Sequence, residues 1–325
     1  MNAVLKRIAI ILFVLASCAP ALTGAQGEFP SRAVHIVLGF SAGGVTDLIA
    51  RALASKLSEF LGVPVLVENK PGANGNIAAE YVVKARPDGY TLLYNTSAVI
   101  LDPLLGVKVP FEVFSDLAPI ALTQNVPLVL ATNPSVPANN VREFVAYAKA
   151  NPGKLDYGSA GTGNVTHLAT LLFLGAAGIS ANHIPYKGAA DAFISVTGGH
   201  TQFFMNSVGT SIPYFNSGRL KGLAVTSSKR IASIPDVPTL AETVAPGFEL
   251  GVWAGVMAPA KTPAPIIRKL SAEIAKALQH PDVLATFTAQ VAEPMGSTPE
   301  QYEAFLKSER VRWAKVITSA GLRRD

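Results

Sequence analysis

The sequence predicts an α/β protein of two lobes with a ligand cleft between them. Three observations carry that expectation. Short apolar segments alternate with segments whose apolar residues recur at helical spacing. Glycine-rich turns at 40–44 and 158–163 each join a strand-like segment to a helix-like one. The alternation comes as two successive runs, and the chain closes on two further helical segments.

Val34, Ile36, Val37 and Leu38 make 34–38 an apolar strand, and Ser41, Ala42, Gly43 and Gly44 form the turn after it. A helix is predicted over 45–61, where Ile49, Ala52, Leu53, Leu57 and Phe60 line one face. A strand over 64–68, a Gly/Asn loop over 69–75, a helix over 77–85 and a strand over 91–94 complete the first run. Consecutive units of this kind imply parallel strands joined by right-handed crossovers.

The second run has a strand over 127–132 and a helix over 141–150 that stops at Asn151-Pro152-Gly153. A strand over 155–159, the turn Gly161-Thr162-Gly163 and a helix over 164–175 follow, then strands over 182–185, 202–205 and 220–226. Residues 234–246, with Pro235, Pro238 and Pro246, read as a connection. A strand over 253–258 and helices over 266–279 and 300–319 end the chain. This order places lobe one at 28–124 and 253–325, lobe two at 125–228 and a return connection at 229–252. A single, very large doubly wound sheet is the competing topology.

Residues 1–25 have the pattern of an export signal. Lys6 and Arg7 precede an apolar run over 8–16, too short to span a bilayer, and small residues end in Thr23-Gly24-Ala25. A periplasmic location follows. Cys18, the single cysteine, lies in Leu15-Ala16-Ser17-Cys18, which resembles a bacterial lipobox. It becomes a lipidated first residue if that match holds, and it is lost if cleavage follows Ala25. Either outcome excludes a disulfide.

The formal charge of +5 falls to +3 without Lys6 and Arg7, 25 basic residues against 22 acidic. No Lys/Arg stripe is present, so nucleic acid is not an expected partner. His35, His167, His183, His200 and His280 do not fall at metal-ligand spacing, and neither metal nor cofactor is expected. The chain lacks a dinucleotide fingerprint after its first strand, a Walker loop, an H-E-x-x-H motif and a G-x-S-x-G elbow. It is read as a binding protein, not an enzyme.

The two glycine turns are the candidate site. Glycines let backbone approach a ligand closely, and the first amides of the following helix lack intrahelical acceptors. Those amides and the helix dipole favour an anion. In the second turn Ser159, Thr162 and Asn164 add side-chain donors. Asp47 is read as a cap for the first helical turn, and His167 as a histidine satisfied by the protein itself.

Phe40-Ser41-Ala42-Gly43-Gly44, followed by Asp47, Ala50 and Arg51, resembles the first signature of the Bordetella uptake gene family. Its members are the substrate-binding components of tripartite tricarboxylate transporters. The resemblance continues through residues 68–77, Pro87-Asp88-Gly89-Tyr90-Thr91, Gly158 to Gly163 with His167-Leu168, and Pro185-Tyr186-Lys187-Gly188. It extends over 223–227 and 234–239 to Trp253, Gly255 and Ala258-Pro259. It implies a type II periplasmic-binding-protein fold whose lobes close on one small ligand, often a carboxylic or amino acid.

The family's contact positions fall on Phe40, Ser41, Ala42, Gly43 and Gly44, and on Ser159, Gly161, Thr162 and Gly163. Asn74, Asn95, Lys187 and Asn206 are further positions implied in the same way. The implied partners are a small carboxylate and the membrane subunits of a transporter of the tripartite tricarboxylate type, with the chain acting as a monomer. Many relatives carry acidic residues where Gln202 and Asn206 stand, which argues for an acid without an ammonium group. A sensor presenting the same closed form to a receptor kinase is the alternative. A secreted hydrolase built on Ser159 and His167 lacks a third catalytic partner.

Overall fold

The structure is a computed structural model that describes residues 29–186, 188–319 and 322. The export-signal residues, Cys18 and Lys187 lie outside the described residues. The fold below is that of the unit formed by residues 32–325.

Strand β1 (Val34–Leu38) leads into helix α1 (Val45–Leu61), then strand β2 (Val65–Asn69), a 3-10 turn (Ala73–Gly75), α2 (Asn76–Val83) and β3 (Thr91–Thr96). β1 pairs in parallel with both β2 and β3, as the crossover rule requires. The helices α3 (Ala98–Leu104) and α4 (Val113–Asp116) follow, neither expected from the sequence. Strand β4 (Leu117–Thr132) is 16 residues long, where alternation suggested only 127–132. Pro119 and the polar run Thr123-Gln124-Asn125 hide its first part.

Next come α5 (Val141–Ala150), β5 (Asp156–Ser159), α6 (Val165–Ala177), β6 (Asn182–Pro185), α7 (Ala189–Thr197), β7 (Phe203–Ser207), α8 (Val208–Asn216) and β8 (Lys221–Val225). A short α9 (Leu240–Thr243), β9 (Gly251–Pro259), α10 (Ala264–Leu278), α11 (Pro281–Gln290), β10 (Glu293–Pro294) and α12 (Pro299–Ser319) end the chain.

The strand order is β2-β1-β3-β9-β4-β7-β5-β6, with β8 and β10 also paired to β4. β4 belongs to two halves. Residues 117–127 pair antiparallel with β9, while Leu128 to Thr132 pair with β7, and Val129 to Thr132 with β8. Its register against β9 shifts at Pro119/Ala121 and at Leu122/Gln124. Such irregularities bend a strand and raise its twist, which curls the sheet and lets its halves face different ways. Both sequence topologies are thus partly realised: the strands are continuous, and the arrangement is the two-lobed α/β fold.

Each half has its own core. Val37, Leu93, Trp253, Met257, Tyr302 and Leu306 are buried together on the β1 side. Leu128, Leu130, Phe144, Phe173, Phe203 and Trp313 are buried together on the β7 side. The expectation that the C-terminal helices pack on lobe one describes only part of α12. Its Tyr302 and Leu306 enter the first core, but Trp313 and Ile317 enter the second. A cavity of about 350 Å³ lies beside this junction, lined by Leu122, Trp253, Phe305, Glu309, Arg312 and Trp313. None of its lining residues belongs to either glycine turn.

Candidate functional site

The first turn leaves β1 and enters α1. A Cβ on Gly39 would stand 2.4 Å from the Cα of Gly75, so only glycine lets these two segments touch. Gly43 has φ +87°, a left-handed conformation that a side chain would strain. Asp47, 2% exposed, holds the turn from below. It accepts hydrogen bonds from the Gly43 amide at 2.9 Å, Arg51 Nε at 2.9 Å and Asn69 Nδ2 at 2.8 Å. Asn69 Nδ2 also donates to the Phe40 carbonyl, and Arg51 donates to Asn69 Oδ1. Burial opposes ionisation of Asp47, but Arg51, Gly43 and Asn69 outweigh it and hold the carboxyl below its usual range.

This geometry refines the capping role expected of Asp47. Its carboxylate clamps the turn and makes no cap at Gly44, the N-cap of α1, which has no side-chain cap. It also commits the Gly43 amide. Residues 41–44 are exposed, and the amides of the first turn of α1 that follow them lack intrahelical acceptors.

The second turn leaves β5 and enters α6. Ser159 is fully buried. Its Oγ lies 3.1 Å from the Gly161 carbonyl, accepts from the Gly161 amide at 3.2 Å and lies 2.6 Å from His183 Nε2. Thr166 Oγ1 accepts from the Ala160 amide, and His167 Nδ1 accepts from the Gly163 amide. Asn164 caps α6 through the Thr166 amide. Most of this turn is therefore satisfied internally, and Thr162 is its exposed residue.

His167 and His183 stack with centroids 3.9 Å apart, and Tyr157 stacks on His183 at 5.0 Å. Burial pushes the His183 pKa down and the Tyr157 pKa up. The sequence reading treated the histidines as scattered. Only the parallel pairing of β5 with β6, which puts Tyr157 beside His183, brings these rings together. Among the described residues no three His, Cys, Asp or Glu side chains are placed to hold a metal ion.

The second turn is bonded to the 3-10 turn, whose Gly75 packs against Gly39 beside the first turn, at Asn74, which sits at φ 55°. Asn164 Nδ2 donates to Asn74 Oδ1 at 3.0 Å, and Asn74 Nδ2 donates to Asp102 Oδ1 at 2.9 Å. Asn76 Nδ2 donates to Asp102 Oδ2 at 2.5 Å. Asp102 is 3% exposed on α3, a helix that the sequence reading missed. Asn95 lines a small pocket with Phe40, Asn74, Asn76 and Thr96. Its Oδ1 accepts from Tyr302, while its buried Nδ2 has no hydrogen-bond partner among the described residues.

Phe40, Asn74 and Asn95 are thus brought together, and Asn164 reaches Asn74 from the other half. Asn206 is differently placed: both its amide hydrogens go to Thr210 and Ser211 at the start of α8. The sequence does not single out Asp102, and it gives Asn69, Arg51 and His183 no role in holding the turns, because no local motif shows their partners. Each acts through a partner 18 or more residues away.

Comparison with known proteins bears on this geometry. BugT of Bordetella pertussis is 36% identical over 97% of this chain and 98% of its own length. An R. palustris protein solved with adipate is 33% identical, covers 90% of this chain and 99% of its own, and superposes with a TM-score of 0.86. MatC from Rhodopseudomonas palustris, solved with bound malate, is 31% identical over 89% of this chain and all of its own, with a TM-score of 0.80. The family described as "Tripartite tricarboxylate transporter family receptor" matches residues 49–322. The chain therefore belongs to the tripartite tricarboxylate transporter receptor family, whose members are solute-binding receptors and not enzymes.

Proposed function

We propose that this receptor captures a small carboxylic acid without an ammonium group between its two glycine turns and delivers it to the membrane subunits of a tripartite tricarboxylate-type transporter. The observation that carries this reading is the arrangement of the turns. One exposes the amides that open α1, and the other is bonded through Asn164 to Asn74 of the 3-10 turn, which packs against Gly39 beside the first turn. Helix-opening amides suit a carboxylate. The buried carboxylates described beside the turns, Asp47 and Asp102, are engaged by protein donors and shape the site instead of standing ready for an ammonium group. Relatives solved with adipate and malate support the same ligand class. The chain works in the periplasm as a monomer. Its first 25 residues direct export, and Cys18 is either lipidated or removed with them.

The test is a thermal-shift screen of the mature protein against dicarboxylates, tricarboxylates, aromatic acids and amino acids. A cognate acid at 100 times its Kd adds about 2.7 kcal/mol of stability. A dicarboxylate or related acid is expected to raise Tm. A panel in which no acid does so, or in which amino acids outperform their deaminated analogues, overturns the reading.

A further inference from the structure

We propose that Asp102 is a positioning residue that sets the polarity of a chain of amides joining the two lobes, and so holds the receptor closed. An ionised carboxylate only accepts hydrogen bonds. Asp102 therefore requires Asn74 to turn its Nδ2 inward, at 2.9 Å, and to present Oδ1 outward. That oxygen can only accept, and it takes Nδ2 of Asn164 at 3.0 Å from the other half. Asn164 is then left with Oδ1 for Thr166, whose amide and hydroxyl both donate to it, at 3.1 and 3.2 Å. Thr166 Oγ1 in turn accepts from the Ala160 amide inside the second turn, at 2.9 Å.

Every link in this relay has one direction: Asp102 fixes it at Asn74, and the Thr166 amide, which only donates, fixes it at Asn164, so the two ends match only while Asn74 presents its oxygen. The close fit around the relay supports a seated contact. A Cβ on Gly163 would lie 2.8 Å from Leu105 Cδ1 and 3.9 Å from Asp102 Oδ1. Asn74 and Asn164 belong to opposite halves of the curled sheet, so their bond exists only when the halves approach. In this role Asp102 needs no contact with the ligand. It acts on affinity through the population of the closed form. This inference rests on the reading of the cleft as one that closes on its ligand.

The polarity argument makes a swap the decisive test. In Asp102→Asn the new amide can face Asn74 or Asn76 with the wrong group. Combining Asp102→Asn with Asn74→Asp restores the donor–acceptor match along the relay and with Asn76. The amide at 102 then donates to the carboxylate at 74 and accepts from Asn76, and that carboxylate accepts from Asn164. Asn74→Gly removes the link while keeping the left-handed backbone, and so gives a second route if Asp102→Asn does not fold.

Lobe separation is read by electron–electron distance measurement between labels at Arg86→Cys and Lys149→Cys, two exposed sites, in a Cys18→Ser background. Samples are measured without ligand and with saturating adipate. We expect Asp102→Asn and Asn74→Gly to lower the closed-to-open ratio at least tenfold, and the swapped pair to recover it to within threefold. Unchanged ratios in the folded single variants, a swapped pair no better than Asp102→Asn alone, or a wild type with no closed population in either sample would overturn the proposal. If adipate shifts nothing but the ligand-free ratios follow the expected order, the relay stands and adipate is rejected as a ligand.

Discussion

Gly43 and Gly44 look equivalent in the sequence but behave differently in the fold. Gly43 needs its positive φ, whereas Gly44 has φ −77° and ψ 165°, open to any residue, and a Cβ there would meet only Ser41 O at 4.0 Å. Gly44→Val should therefore fold normally and obstruct the exposed mouth of the turn. The expected result is loss of measurable ligand binding by calorimetry with Tm within a few degrees of wild type. Full affinity in the folded variant would remove the first turn from the site. Asp47→Ala leaves the Gly43 amide and Asn69 without their acceptor and should cost about 1–3 kcal/mol in urea unfolding. The folded pKa of Asp47 lies below its unfolded value. Its contribution is thus present above the unfolded value of about 4 and lost as pH falls through the folded one. Unfolding midpoints across that acid range should fall less steeply in Asp47→Ala than in wild type. His183 works in the other direction. It is a base whose folded pKa is lowered by burial, so the unfolded chain binds its proton first. Stability should drop as pH falls below the unfolded value of about 6.5, and His183→Gln should reduce that drop. Asn206 is a poor place to probe ligand charge, because its two amide hydrogens serve Thr210 and Ser211, whose hydroxyls lie in turn against the Ser207 carbonyl. Asn206→Asp would bury a carboxylate there and confound binding with stability.

At the scale of elements, α12 and β4 belong to both halves, and so does α3, whose Val99 and Ile100 enter the first core while Leu101 enters the second. α12 fastens the halves from outside. The carboxylate of Glu309, 5% exposed, accepts from the indoles of Trp253 and Trp313, each at 2.9 Å, and from Arg312 at 3.1 Å. Arg312 also donates to the Glu249 carbonyl in the return connection. Trp313→Ala removes a 2%-exposed ring from the second core and should cost about 3–5 kcal/mol by urea denaturation. A cost below about 1 kcal/mol would mean that α12 does not hold the second half. Element prediction succeeded where periodicity was regular. β1 and α1 match the expected 34–38 and 45–61, and α5 matches 141–150. It failed for α3, α7, α8 and α11. Pro103 lies inside α3 and Pro213 inside α8, and each interrupts the pattern that a window of sequence displays. The stray appearance of 117–126 has a similar cause: its polar Thr123 and Gln124 are fully buried and bonded to Tyr94.

For the whole molecule, ligand binding should favour the closed arrangement, and small-angle scattering should show a smaller radius of gyration with a cognate acid than without. An unchanged radius under saturating ligand would argue against closing lobes. The sequence by itself determined the α/β class, the two glycine turns, the position of the first helix and the family, because these depend on local periodicity, turn chemistry and ordered motifs. Tertiary structure alone decided which amides of those turns stay available, since Asp47, Ser159 and His167 claim several of them. It also decided that one long strand and one long helix serve both halves, and that Asp102 stands behind the contact between the turns. These outcomes depend on partners distant in the chain. A window of sequence carries periodicity, but it does not carry the register of β4 or the direction in which an asparagine presents its amide.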